Sequence, residues 1–251
     1  MSGIFLKLLG DEAATAVAAA TEAPAAAEAA EPIVKSWFTF KFGEVSLASW
    51  IILAALIIMG AVLLVICRKQ VKWSARMIAN GALCLALAFV LSYIRIVKFT
   101  YGGSITPASM LPIMLFSMAY GVAPGLLVGT GYGLLQLLQG AEIVHPIQLL
   151  LDYPLAFAAL AIAGIVYKAG KGKLSDTLLI LLSVLAGGLG RWVMATLSGA
   201  LFFASYAPEG TNVWLYTIGY NAGYLAPDTA LCMLVAILPG MRSLPQLMKK
   251  A

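Results

Sequence analysis

HPIQLLLDYPLAF, residues 145–157, continues as AALAIAGIVY to Tyr167 and carries one acid, Asp152, inside an otherwise apolar run. A carboxylate within a membrane helix is disfavoured by roughly 2.5–3.5 kcal/mol on insertion scales. Those that survive face a bundle interior or a wet cavity and pair with something. At 100° per residue, His145, Gln148 and Asp152 share one helix face, with Tyr153 just beside it. If the helix begins near Pro146, Asp152 lies about 9 Å down the axis, the depth of a pocket opening at one membrane surface. The competing explanation is an acid satisfied by a neighbouring helix for structural reasons alone.

Composition settles the class. The 251 residues are 62% hydrophobic and 11% charged, against about 25% charged in soluble domains, so the chain is an integral membrane protein. The net charge of +5 needs no nucleic-acid partner, because the basic residues lie between apolar runs. Cys67, Cys84 and Cys232 sit in apolar segments without CxxC spacing and read as inert. The single histidine, His145, precludes a multi-histidine metal site, and no cofactor is expected.

Outward from the Asp152 helix, the chain divides into an Ala/Glu-rich low-complexity tail (1–46) and an apolar span (47–67). A further membrane domain (76–241) and a basic C-terminus (242–251) follow. Six hydrophobic runs fall within that domain, near 77–97, 109–120, 126–138, 146–167, 176–203 and 216–238. Basic clusters follow the spans ending at Cys67, Tyr167 and Leu238. By the positive-inside rule, seven spans put the N-terminus outside and the C-terminus in the cytoplasm. The third and fourth spans are short, so a six-span count stays open. There is no internal repeat, no GxxxxGK[ST], no HExxH and no GxSxG. The chain therefore cannot hydrolyse ATP by a P-loop, and with one histidine and few acids a hydrolytic enzyme has little to work with.

The last two runs carry polar faces. Tyr216, Thr217, Tyr220, Asn221, Tyr224 and Asp228 fall within about 140° of arc on one helix. On the other, Arg191, Ala195, Ser198 and Phe202 align, with Gly199 adjacent and Phe203 further round. Arg191 reads equally as a ligand contact and as the structural partner of an intramembrane acid. Together Asp152, Tyr153, Tyr216 and Asn221 describe a pocket for a small, flat, nitrogen-rich cation: the carboxylate accepts hydrogen bonds and the rings stack.

HPIQLLLDYPLAF, SGALFFASYAPEG (198–210) and WLYTIGYNAGYLAP (214–227) together resemble the substrate-binding (S) component of energy-coupling factor (ECF) vitamin transporters, in its thiamine-specific family. The resemblance runs from about Met77 to Leu238. It implies an all-α integral membrane fold, a six-helix S-component bundle, to which this chain adds one N-terminal transmembrane helix. It also implies a multi-pass protein of the bacterial cell membrane that captures thiamine for uptake and is not an enzyme. Implied partners are the lipid bilayer, a coupling transmembrane subunit and two ABC-type ATPases.

The resemblance implies a ligand set of Asp152, Tyr153, Gly199, Phe203, Tyr216 and Asn221, with Arg191 at a basic position; Gln148 and His145 join it from the Asp152 helix. Ala82 and Ala86, an AxxxA pair, are implied as the face docking on the coupling subunit; small residues let helices approach closely. Two departures stand out. Ala195 occupies a position where thiamine-specific members commonly have a ring-stacking histidine, and Phe203 replaces the larger tryptophan of some members. Together they keep a thiamine precursor or analogue, hydroxymethylpyrimidine or a thiazole, as an alternative ligand. A carrier coupled to cations through Asp152 and Asp228 is the alternative from a different class.

Overall fold

The computed structural model describes residues 71, 73–99, 102–140, 143–208 and 210–250. The expected span at 47–67 and the tail before it lie outside the described residues. Ser74 opens the first helix, α1 (Ala75–Tyr93), by accepting a hydrogen bond from the Met77 amide at 3.2 Å. α1 was expected to continue to Val97 but stops at Tyr93, because Ile94 adopts an extended backbone. Ile94, Ile96 and Val97 are β-branched and favour extended conformation. A short antiparallel hairpin follows, β1 (Val97–Lys98) with β2 (Ser104–Ile105), Val97 facing Ile105. It is the one departure from an all-helical architecture among the described residues.

α2 (Leu111–Tyr120) is buried along Leu111–Ala119. At ten residues it is about 15 Å long, half the hydrocarbon thickness, and its all-round apolar surface suits a helix enclosed by others. Gly121, with φ of +98°, reverses the chain into α3 (Val122–Gln136). A left-handed turn of this kind favours glycine. α3 begins at Val122, earlier than expected, because Pro124 is tolerated in a first turn, where its missing N–H costs nothing.

The Asp152 helix is α4, Pro146–Gly170. Pro154 has no N–H to donate to the Leu150 carbonyl, and the helix opens into a π turn over Leu151–Leu155, with the Ala156 amide donating to the Leu151 carbonyl. α3 crosses this widened turn closely. A Cβ on Gly129 would lie 2.5 Å from the Phe157 carbonyl oxygen, and one on Gly133 would meet the backbone of Tyr153 and Pro154. These two glycines, four residues apart, therefore set where α3 meets the Asp152 segment.

α5 (Asp176–Phe202) and α6 (Val213–Ala236) run against each other. Ser175 and Asn212 cap them, Asn212 Oδ1 accepting from the Trp214 and Leu215 amides at 2.9 and 3.3 Å. α7 (Pro239–Lys250) then turns aside by 78°. The segment expected as a plain basic C-terminus is thus helical, tied down by Arg242 donating to Thr177 Oγ1 at 2.9 Å and Tyr120 donating to the Met248 carbonyl at 2.6 Å.

By length and composition α1, α4 and α5 are each able to cross a membrane, and α6 with α7, bent by 78°, adds at most one further span among the described residues. Ile78, Leu83, Leu87 and Val90 of α1, Ile165 of α4 and Leu189 and Val193 of α5 are exposed. Large aliphatic side chains on the outside of such helices suit lipid as the surrounding solvent. This is an all-helical membrane protein with several apolar spans.

Candidate functional site

The polar residues of α4, α5 and α6 converge on a cavity of about 300 Å³, closed on a further side by the hairpin and by the last turns of α1 and α3. That volume is at the lower end of the range for small-molecule sites. Each wall follows from local sequence.

On α4, Gln148 donates from Nε2 to Asp152 Oδ2 at 2.6 Å, an i, i+4 pair, and accepts from the Val144 amide at 3.2 Å. Gln148 is buried and Asp152 half-buried, so the glutamine orients a carboxylate that still reaches the cavity. Tyr153 lines the cavity beside it. The π turn carries both residues, and π turns recur at functional sites.

On α5, the i, i+4, i+8 spacing brings Arg191, Ala195 and Gly199 to the cavity, with Phe203 at the helix end. Ser198 and Phe202, aligned with Arg191 and Ala195 on the sequence wheel, are not on the wall. Phe202 lies one step round from Gly199, on the α4 side, and stacks on the His145 ring at 4.8 Å. Gly199 is required by packing as well as by the cavity, since a Cβ there would overlap the Thr217 methyl of α6.

On α6, Tyr216, Tyr220 and Tyr224 form a ladder at i, i+4 spacing, with ring centroids 6.3 and 5.9 Å apart. Asn221 lines the cavity between them; its Oδ1 accepts from Tyr224 at 2.9 Å, and its Nδ2 donates to the Thr217 carbonyl at 3.0 Å. The ladder also seats the hairpin, Phe99 packing edge-on to Tyr220 with centroids 6.1 Å apart.

The second intramembrane acid differs in kind. Asp228 is only 1% exposed. Its Oδ1 accepts from the amide and hydroxyl of Thr106 at 3.2 and 3.0 Å, and its Oδ2 lies 3.9 Å from Arg191 Nη1. The Arg191 guanidinium in turn sits 4.1 Å above the Phe157 ring. Arg191 thus does structural work, joining α4, α5 and α6, while also lining the cavity. Both readings of this arginine were open from the sequence.

His145 does not reach the cavity wall. Its Nδ1 accepts from the Ile147 amide at 3.0 Å and caps α4, and its ring packs on Phe202. Burial holds its pKa below the ordinary histidine value. The eight other residues proposed for the ligand all line the cavity, whereas Ala82 and Ala86 lie exposed on α1.

Several wall residues escaped sequence reasoning. Tyr132, Gln136 and Gln139 line the cavity from α3 and the turn after it. Their i, i+4, i+7 spacing is the signal that could have found them. Gln136 and Gln139 donate to Ser92 Oγ at 2.9 and 2.5 Å, and Arg95 donates to the Gln139 carbonyl at 3.0 Å, closing the α1 side. Thr106 and Ser109, bonded to each other at 2.7 Å, had no sequence signal, because the fold alone brings Thr106 against Asp228. Among the described residues no group of three or more His, Cys, Asp or Glu side chains could hold a metal ion.

The family model described as Thiamine transporter protein (Thia_YuaJ) matches residues 78–248. A Bacillus subtilis protein, Thiamine transporter ThiT, is 39% identical over 190 residues, which is 72% of this chain and 97% of that protein. A Lacticaseibacillus paracasei protein of the same name is 26% identical over 174 residues, 63% of this chain and 83% of that one. A solved structure of ThiT from Listeria monocytogenes superposes with a TM-score of 0.58 at 24% identity, covering 68% of this chain and 96% of that one, and supports the fold.

Proposed function

The chain belongs to the thiamine transporter protein family; it transports thiamine and is not an enzyme, and we propose that the cavity between α4, α5, α6 and the hairpin is where the vitamin is captured. The observation that carries this reading is Asp152, a half-buried carboxylate oriented by Gln148 and facing a tyrosine ladder across the cavity.

Thiamine offers an aminopyrimidine edge that donates hydrogen bonds and a thiazolium ring that carries a positive charge. Asp152 accepts from the first and balances the second. A unit charge pair at 4 Å with an effective dielectric near 20 is worth about 4 kcal/mol before desolvation, enough to offset the cost of placing the acid in the membrane. Tyr153, Phe203 and Tyr216 supply ring faces for stacking, Asn221 fixes the register of the α6 wall, and Gly199 lets the ligand approach the α5 backbone. Arg191 holds the α5–α6 frame through Asp228, whose carboxylate offsets the guanidinium charge on the cavity wall.

In this reading the cavity opens to the outside and α7 lies at the cytoplasmic face, in keeping with the basic residues that follow α4 and α6. The protein acts as the S component of an ECF transporter: it supplies recognition, while a separate coupling subunit and two ATPases supply energy. Exposed Ala82 and Ala86 on α1 are the docking face. A carrier driven by cations through Asp152 and Asp228 is disfavoured by the engagement of Asp228 with Thr106 and Arg191.

Calorimetric titration of the purified protein with thiamine, hydroxymethylpyrimidine and thiazole alcohol, without ATP, tests the site. Tight binding of thiamine and weaker binding of either half is expected. Tighter binding of hydroxymethylpyrimidine than of thiamine would move the assignment to the precursor, for which the small side chain of Ala195 leaves room. No heat with any of the three would remove the reading.

A further inference from the structure

At the opposite end of the bundle a second cavity, of about 440 Å³, lies where α2 turns into α3, α4 ends and α7 folds back. One part of its lining is aliphatic, including Met118, Val122 and Pro245, and the other carries Lys168, Lys171 and Lys249. Among the described residues no carboxylate lines it. α3 begins in this cavity with no side-chain cap, adding the positive end of a fifteen-residue helix to the three ammonium groups.

The cavity is held in shape. Asn80 donates to the Tyr120 hydroxyl at 2.7 Å, which in turn donates to the Met248 carbonyl at 2.6 Å, so α1, α2 and α7 are pinned around it. Lys168 stands in the last turn of the membrane-spanning helix α4, at the level where headgroups begin.

We infer that this cavity is a binding site for an anionic phospholipid, its phosphate held by Lys168, Lys171 and Lys249 and its acyl chains lying on the aliphatic wall. A free phosphate shares the headgroup chemistry but makes no use of that wall, which buries apolar surface only when an acyl chain covers it. The inference does not depend on what the first cavity binds.

Native mass spectrometry of the full-length protein, released from micelles containing equal phosphatidylglycerol and phosphatidylcholine, tests it. Phosphatidylglycerol should be retained in preference, and K168Q/K171Q/K249Q should lose that preference by roughly fivefold per lysine removed. R76Q/K173Q removes exposed charges that do not line the cavity and should leave the preference intact. An unchanged thermal midpoint checks that each variant is folded, and single lysine variants replace the triple if it is not. Equal retention of the two lipids, or equal losses in the two variants, would overturn the site. Displacement of the lipid by millimolar glycerol phosphate would overturn the lipid in favour of a free phosphate.

Discussion

Asp152 and Asp228 are the two acids within the described membrane helices that line the cavity, and their surroundings divide the labour between them. Asp152 sits on a π turn, hydrogen-bonded by Gln148, half-buried and lining the cavity. Asp228 is sealed at 1% exposure, takes two hydrogen bonds from Thr106 and faces Arg191. The same side chain thus serves recognition on α4 and architecture on α6. Burial and position decide which: Asp228 is sealed against donors of its own protein, whereas Asp152 is half-buried and borders the open space of the cavity.

Substitutions can break this contrast. The largest effect is expected from Asp228→Ala, which leaves Arg191 without its acid and Thr106 without its acceptor. Loss of one partner of a buried pair costs about 3–5 kcal/mol, visible as a lower thermal midpoint of the ligand-free protein. An unaltered midpoint would remove Asp228 from its structural place.

Next is Asp152→Asn. Hydrogen bonds to charged groups are worth about 1.5–3 kcal/mol, so thiamine affinity should fall roughly 10- to 150-fold while the ligand-free midpoint hardly moves. Calorimetry on both acids' Asn variants sharpens the point, because equal losses of affinity would erase the distinction. Ala195→His then tests the α5 wall. An added ring beside the cavity should tighten thiamine binding by about 0.5–1.5 kcal/mol, and weakened binding would mean that the space above Ala195 is already used by the ligand.

The smallest effect belongs to His145. Its pKa is lowered by burial, so the neutral ring and its cap on the Ile147 amide contribute stability that is present above the ordinary histidine pKa and lost as pH falls through the folded value. A cap is worth about 1 kcal/mol. Thermal midpoints of the wild type should fall between neutral and mildly acid pH, and those of His145→Asn should stay level over the same interval.

Much of this was legible in the chain. Hydrophobic run lengths located the helices, and the stripe from Tyr216 to Asp228 identified the polar side of α6, because side chains four residues apart share a helix face whatever surrounds them. Of the aligned residues of α5, Arg191 and Ala195 reach the cavity together with the adjacent Gly199, whereas Ser198 and Phe202 fall outside it because a wheel does not say where the neighbouring helix stands. Thr106 was invisible, since its role depends on a contact with a residue more than a hundred positions away, and Ser109 enters the wall beside it. The hairpin begins at Val97, where a run that reads as membrane helix ends, and its second strand lies beyond that run.

The sequence by itself determined that this chain lives in a bilayer, where its apolar helices lie and which few polar residues they carry, because composition and period are local properties. Only the tertiary structure decided that Arg191 faces Asp228 while Asp152 borders the cavity beside Gln148, that His145 caps a helix, and that lysines from the end of α4, the turn after it and α7 meet around one cavity. Charge balance and cavity shape depend on which helices touch, and that is fixed by packing across the whole bundle.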